Sequence, residues 1–404
     1  MNSASMTFYI ASLIKIAFVF AVFMLTLLYL QWIERKVLAH IQSRVGPLRV
    51  GPHGLFQPLA DTVKLLIKED LTPPHVSKFY FLLGPFIAVA LALTPVAVIP
   101  FGPQITIFGY TTQLQIADLG IGVVFLLGVT SIGVYGIAIG AWASNNKYSL
   151  LGSLRSAAQM ISYELPMALA IVSALLLANT LSFRGIVDNQ AGYVLGFIPR
   201  WHIFQGPFPQ IFAFVIFLIS GFAETNRIPF DLPEAENELV GGYHTEYSSM
   251  KFACYFMAEY ANMVTSTCVA TLLFLGGWQP LFPAPYSNWV PVAVFLFAAL
   301  LALNFAMKPV RKWDRFSFPV ITVVMLVLAG IFAIPLLQPV ITPLFWFGAK
   351  VFFLLFVFIW IRGTLPRFRY DQLMHFAWLF LFPVAMVNLL ITGVAVALFP
   401  GQGS

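Results

Sequence analysis

Six of the chain's sixteen carboxylates crowd into one stretch, ETNRIPFDLPEAENELVGGYHTEYSSMK: Glu224, Asp231, Glu234, Glu236, Glu238 and Glu246. Carboxylates set this close can hold and pass protons, because like charges and burial both oppose ionisation. The stretch lies between two long apolar runs and also carries Ile228, Pro229, Phe230, Leu232 and Pro233, types that pack or stiffen a turn. It reads as an acidic loop, residues 224–251, folded back against the protein with its carboxylates partly enclosed; the alternative is an acidic connector in water. Two more carboxylates, Glu164 and Glu259, fall inside apolar runs, and Asn262 follows Glu259 by one turn. A charge at the centre of a membrane helix costs about 2.5–3.5 kcal/mol even on the mildest scale, so such residues face a polar pathway. Lys350, also inside a run, reads equally as a snorkelling anchor or a relay partner, and Lys15 as an anchor.

A second cluster occupies 34–78. Glu34, Arg35 and Lys36 close the first apolar run. The near-duplicate Arg44-Val45-Gly46-Pro47 and Arg49-Val50-Gly51-Pro52 then forces turns. From Leu55 to Lys68 the spacing predicts an amphipathic helix: Leu55, Leu59, Val63 and Leu66 form one stripe, and Gln57, Asp61, Lys64 and Lys68 the other. It is too short to cross a bilayer and is expected to lie along the interface, with Asp61 facing the same boundary as the acidic loop. Three arginines in Arg362-Gly363-Thr364-Leu365-Pro366-Arg367-Phe368-Arg369 can anchor a span, bind an acidic partner or orient loop carboxylates.

The elements that position these groups follow from composition. Only 9% of residues are charged and 60% are hydrophobic, against roughly 25% charged in a soluble domain. The fold class is therefore all-α, a polytopic integral membrane protein, since helices alone satisfy their own backbone in lipid when no barrel pattern is present. Ten runs are candidate spans: 8–31, 79–100, 118–142, 157–179, 208–223, 252–276, 289–307, 318–337, 341–361 and 376–399. With the amino terminus outside, eighteen of the connecting lysines and arginines fall on the cytoplasmic side and only Arg184 and Arg200 on the other, which sets the orientation. The first run is too long for a signal-peptide core and is expected to remain as a span. Cys254 and Cys268 form no Cys-x-x-Cys pair, the histidines are not placed within spans for haem, and neither a Walker loop nor a dinucleotide fingerprint is present. No metal, redox cofactor or nucleotide is expected on this chain, and no nucleic acid as a partner.

Four stretches, IERKVLAHIQSRVGPLRVGPHGLFQPLADTVKLLIKED, SLRSAAQMISYELPMAL, GFAETNRIPFDLPEAENELVGGYHTEYSSMKFACYFMAEYANM and RGTLPRFRYDQLM, closely resemble the H-subunit family of proton-pumping NADH-quinone oxidoreductase, respiratory complex I. The resemblance implies a membrane subunit without catalytic residues of its own, in the cell inner membrane, whose first span, interfacial helix and acidic loop wall a quinone tunnel. Quinone would be the substrate. Iron–sulfur clusters, FMN and NADH would reside in partner subunits of the peripheral arm, with small and antiporter-like membrane subunits alongside. Carried onto this chain, the tunnel residues would be Arg35, Arg44, Arg49, Ala60, Asp61 and Phe230. The proton-coupling carboxylates would be Glu34, Asp61, Glu164, Glu224, Asp231, Glu234, Glu236, Glu238 and Glu259. Leu48 stands where many relatives have asparagine. Relatives commonly have eight spans, so the surplus pair is expected as an insertion within 280–340, in one integral membrane domain covering 1–404. Two other readings are an autonomous cation antiporter and an anchor for a related hydrogenase or ferredoxin-linked complex. The first leaves the Arg-x-Gly-Pro segment unexplained, and the second the cost of burying Glu164 and Glu259.

Overall fold

Apolar runs separated by glycine, proline and charged turns become helices that satisfy their own backbone groups. The computed structural model describes residues 3–107, 110–194, 196–204, 206, 208–233, 236–309 and 313–399. In chain order the helices are α1 (Ser3–Ile41), α2 (Gln57–Ile67), α3 (Lys78–Leu93), α4 (Gly122–Ala143), α5 (Lys147–Ala178), α6 (Phe183–Asn189), α7 (Ile211–Glu224), α8 (Glu236–Leu239), α9 (Ser249–Phe274), α10 (Tyr286–Met307), α11 (Asp314–Ala333), α12 (Gln338–Thr364), α13 (Tyr370–His375) and α14 (Phe382–Leu398). A π-helical turn, Phe376–Leu381, joins the last two into one continuous run. Two short antiparallel hairpins, β1 (Gln104–Ile107) with β2 (Tyr110–Gln113) and β3 (Tyr193–Val194) with β4 (Ile198–Pro199), lie in connections.

The ten expected spans each coincide with a helix. Among the described residues, eight helical runs are long and apolar enough to cross a membrane. The other two are α7 and α9. At 14 residues, α7 covers about 21 Å, less than a hydrocarbon core of about 30 Å. The 26 residues of α9 suffice in length but include Glu259, Asn262 and a series of hydroxyls. Small side chains such as Ala261, Thr265, Cys268 and Ala270 let neighbouring backbones approach, and α9 is buried along most of its length. It packs against α3, α7, α12 and α1 and forms the centre of the bundle. On one flank α3 meets α4 at Gly84, where an added Cβ would sit 2.6 Å from the Gly140 Cα.

Two helices outrun their expected spans. α1 continues to Ile41, so Glu34 and Arg35 lie on a helix and not in a loop, and α5 starts at Lys147. Hydropathy ends where charge begins, but Glu, Arg, Lys, Leu and Ala are good helix formers. The backbone stops only near the Gly46-Pro47 and Asn145-Asn146 breaks. α2 begins two residues later than its stripe because the Pro52–Gly54 turn comes first, and Pro58 then fits its first turn.

Contacts between connections sort them to two ends. At one end Lys251 Nζ lies 3.1 Å from Asp70, Asn146 Nδ2 donates to Glu246 at 2.6 Å, Arg367 meets Asp231 at 2.8 Å and His53 meets Ser317 at 2.9 Å. The connections 34–78, 144–156, 224–251 and 362–369 and the start of α11 therefore share one end. At the other end Arg184 donates to Gln104 at 3.3 Å and Tyr193 to the Pro280 carbonyl at 3.0 Å. α10 and α11 pack on each other as a hairpin beside α12.

Candidate functional site

Loop 225–233 is placed by local chemistry. Thr225 Oγ1 caps the end of α7 by donating to the Gly221 carbonyl at 3.0 Å, and Asn226, at φ +50°, turns the chain back. The fully buried Gln159 of α5 then pins the loop, its amide nitrogen 2.8 Å from the carbonyls of both Ala223 and Phe230. Phe230, Asp231 and Leu232 are buried as a result. The loop is folded against the protein, as its mixture of prolines and large apolar residues suggests.

That placement brings Arg227 between two carboxylates from different helices. Glu34 of α1 is 2% exposed. Its Oε1 faces Arg227 Nη1 at 3.3 Å and also pairs with Arg362 of α12, while its Oε2 accepts the Tyr260 hydroxyl at 2.7 Å. Arg227 Nη2 reaches Glu259 Oε2 at 3.9 Å, and the guanidinium lies 4.1 Å from the Tyr260 ring centroid. Glu259 Oε1 accepts the Tyr243 hydroxyl at 2.9 Å. One continuous network thus runs Arg362–Glu34–Arg227–Glu259–Tyr243, with α1, loop 225–233, α9 and α12 each contributing. Beside it, Arg367 holds Asp231, and Arg369 meets Asp371 at 3.2 Å, so all three arginines in 362–369 pair with carboxylates, one of which, Asp231, belongs to the acidic loop.

Deeper in the bundle, a cavity of about 30 Å³ is lined by Glu259, Tyr243, Tyr255, Asn262, Thr130 and Glu224, among others. A second, of about 20 Å³, shares Thr130, Glu224 and Asn262 and continues past Thr265 and Ser266. Each is large enough for a water molecule and sets a few polar groups in a largely apolar wall. Glu164 lines neither, but it accepts a hydrogen bond from Ser131 and interacts electrostatically with Glu224. Tyr247, in the loop before α9, donates to the Phe81 carbonyl at 3.1 Å, and burial pushes its phenol up to about 12.

On the opposite side of α1 an open groove of about 660 Å³ is lined by Arg35, Arg44, Val45, Gly46, Pro47, Leu48, Arg49 and Gln57. Arg35 Nη1 also holds Asp61 at 2.6 Å, with Gln57 donating to the other carboxylate oxygen at 3.1 Å. The three arginines singled out from sequence therefore meet at one groove. Ala60 neighbours Asp61 on α2 but is not on the groove wall, and Phe230 is buried between Tyr163 and Phe368, with ring centroids 5.4 and 5.6 Å away. Glu238 is exposed and paired with Arg155 at 2.6 Å. Glu234 and the side chain of Glu236 lie outside the described residues.

Sequence reasoning counts Arg227 only as a topological charge and passes over Tyr243, Tyr260 and Gln159. The available signal is the position of Arg227 within the acidic stretch, where an apolar loop can bury a cation only against an anion. Lys350 is buried and does not snorkel. Its ammonium donates to the carbonyls of Leu275, Gly277 and Gln279 at 2.6, 2.8 and 2.6 Å and lies 4.1 Å from the Trp201 ring. A cation there satisfies the carbonyls that follow the end of α9. Among the described residues no group of three or more His, Cys, Asp or Glu is placed to share a metal ion.

Comparison with known proteins places the chain by sequence. A family model described as NADH dehydrogenase matches residues 14–393. An NADH-quinone oxidoreductase H subunit of Solibacter usitatus is 60% identical, covering 97% of this chain and 98% of its own length. H subunits of the same enzyme from Koribacter versatilis and Geobacter metallireducens are 48% and 44% identical, each over 97% of this chain and 98% and 97% of their own lengths. By this match along nearly its whole length, the chain belongs to the NADH dehydrogenase family, among the H membrane subunits of NADH-quinone oxidoreductase.

Proposed function

We propose that this chain forms the wall of a quinone tunnel and the first part of a carboxylate chain that couples quinone reduction to proton translocation. The observation that carries the reading is the placement of two adjacent residues of α1. Arg35 borders the open groove with Arg44 and Arg49, while Glu34 enters the buried network. The groove offers cations and a glutamine amide to a polar head group, and the exposed apolar faces of α1 and α2 offer a path for an isoprenoid tail. Arg35 holds Asp61 beside the groove, so a charge or proton arriving there acts on a carboxylate directly. Inside, Glu259 and Glu224 border small cavities in which a water molecule can bridge what side chains do not, and Glu164 interacts with Glu224 beside them. The electrons come from NADH through FMN and iron–sulfur clusters in partner subunits, and small and antiporter-like membrane subunits take up the proton signal. The groove-bearing end faces the cytoplasm and the amino terminus lies outside, in the inner membrane. The inserted pair is α10–α11.

The test is Glu224→Gln and Glu259→Gln in the assembled complex, since each keeps shape and removes a titratable charge. Quinone reduction and proton pumping are expected to fall together, while reduction of ferricyanide by the peripheral arm stays at the parent rate. Variants that keep full rates of both coupled processes would overturn the carboxylate chain.

A further inference from the structure

The groove wall from Val45 to Arg49 packs at Gly46 on α1 and at Pro47 on Gly54 of the following turn. The nearest backbone bonds lie at its two ends: Arg44 N to the Ala39 carbonyl at 2.8 Å, and Phe56 N to the Val50 carbonyl at 3.2 Å. What fixes the far end is the turn Pro52–Gly54, and His53 grips that turn from two sides. Its carbonyl accepts Trp32 Nε1 of α1 at 3.3 Å. Its ring Nε2 lies 2.9 Å from Ser317 Oγ and 3.4 Å from Asp314 Oδ1, both in the first turn of α11, and the ring centroid is 5.3 Å from that of Phe318. His53 has φ +53°, in the left-handed region that side chains other than glycine seldom adopt. A residue kept there is held by its surroundings.

We propose that His53 is a positioning residue for the quinone groove, through which the α10–α11 hairpin holds the Val45–Arg49 wall in place. A first-turn carboxylate such as Asp314 favours its own helix without any further partner. Asp314 is nonetheless 5% exposed and Ser317 7%, and the His53 ring lies against both. Ser317 is 264 residues from His53 in sequence, so the contact exists only because the hairpin folds back to the basic end of the bundle. The hairpin's main other contacts are internal and with α12. His53 touches no part of the groove, and its effect passes through the backbone of Val50–Leu55. The proposal rests on the quinone reading of the groove for its kinetic consequence, but not for its structural one.

Two readouts separate these. The first is tryptic cleavage after Arg44 and Arg49 in the full chain in detergent, which reports opening of the wall and needs no quinone. His53→Ala and Ser317→Ala are each expected to speed cleavage about fivefold, the worth of one net hydrogen bond. The double variant should cleave no faster than either single one, and His53→Gln, which keeps a hydrogen-bonding side chain, should recover part of the protection. The second readout is steady-state kinetics of the assembled complex with a short-chain quinone. KM is expected to rise about fivefold in both single variants, with kcat and ferricyanide reduction unchanged. Unchanged cleavage, or additive effects in the double variant, overturns the positioning role whatever KM does. Faster cleavage with an unchanged KM leaves the positioning role standing and overturns the quinone reading of the groove.

Discussion

Arg227 is the buried cation on which two carboxylates depend, and Arg362 is only half-buried, so their removal should differ in cost. The Arg227 side chain is 7% exposed and faces Glu34 at 3.3 Å and Glu259 at 3.9 Å. At an effective dielectric of about 20, one such pair is worth about 4 kcal/mol before desolvation. Removing one partner of a buried pair costs about 3–5 kcal/mol, because the other charge stays buried without compensation. Arg227→Met should therefore lose about 3–5 kcal/mol. Arg362 is 30% exposed and leaves Glu34 still held by Arg227 and Tyr260. Solvent screening discounts its contribution, and Arg362→Met should lose about 1 kcal/mol. Adding Glu259→Gln to Arg227→Met removes one stranded charge and should return part of the loss, a coupling that a double-mutant cycle isolates. Unfolding of the purified chain in mixed micelles by SDS, followed by tryptophan fluorescence, measures all four. If Arg362→Met cost as much as Arg227→Met, or if Glu259→Gln gave nothing back, the buried network would not be what stabilises this end of the bundle.

Three other outcomes follow from the same geometry. Lys350→Met strips three carbonyls of their shared donor and should destabilise the bundle by about 3 kcal/mol or more in the same titration, with Lys350→Arg recovering little because a planar fork cannot reproduce the three bonds. His202, in the loop before α7, is buried with Nδ1 donating to the Leu273 carbonyl at 2.8 Å, and burial pushes its imidazole down to about 4. The unfolded chain binds the proton more readily, so stability should fall as pH drops from about 6.5 towards 4, by about 3 kcal/mol in total, and His202→Gln should flatten that slope. Gly54 has φ +75°, and an added Cβ would land on the Pro47 carbonyl. Gly54→Ala should therefore distort the groove and raise KM for quinone in complex that still assembles, and an unchanged KM would show that the turn does not shape the groove.

The bundle was legible because its signals are local. Uninterrupted apolar runs mark each helix, and the uneven distribution of lysine and arginine sorts the connections to the two ends that the Lys251–Asp70 and His53–Ser317 contacts then bear out. Helix ends were not legible where an amphipathic extension continues past the apolar run, as α1 does from Glu34 to Ile41. The carboxylates announced themselves by type, since a charge in an apolar run is costly wherever it sits. Their partners did not. Tyr260 is 226 residues from Glu34, and Arg227 is 193 residues from it. No periodicity joins residues that only tertiary packing brings together. Lys350 stayed ambiguous for the same reason, because its acceptors belong to the turn after α9 and a turn's carbonyls leave no trace in side-chain pattern.

The one functional relation that sequence did contain is the adjacency of Glu34 and Arg35. Successive residues on a helix point about 100° apart, so a charged pair at this place cannot serve one site. Arg35 turns to the groove and Asp61, while Glu34 turns to Arg227, Arg362 and Tyr260. Both side chains spring from the same turn of a continuous helix, whose hydrogen-bonded backbone moves as a unit. A rotation or tilt that displaces Arg35 in the groove must therefore displace Glu34 by a comparable amount. Glu34 has almost no solvent to absorb the change, since it is 2% exposed and already engaged by three partners. The strain falls on Arg227, and through it on Glu259. The groove and the buried network therefore share one turn of α1, and on the proposed reading a displacement of Arg35 reaches Arg227 through Glu34.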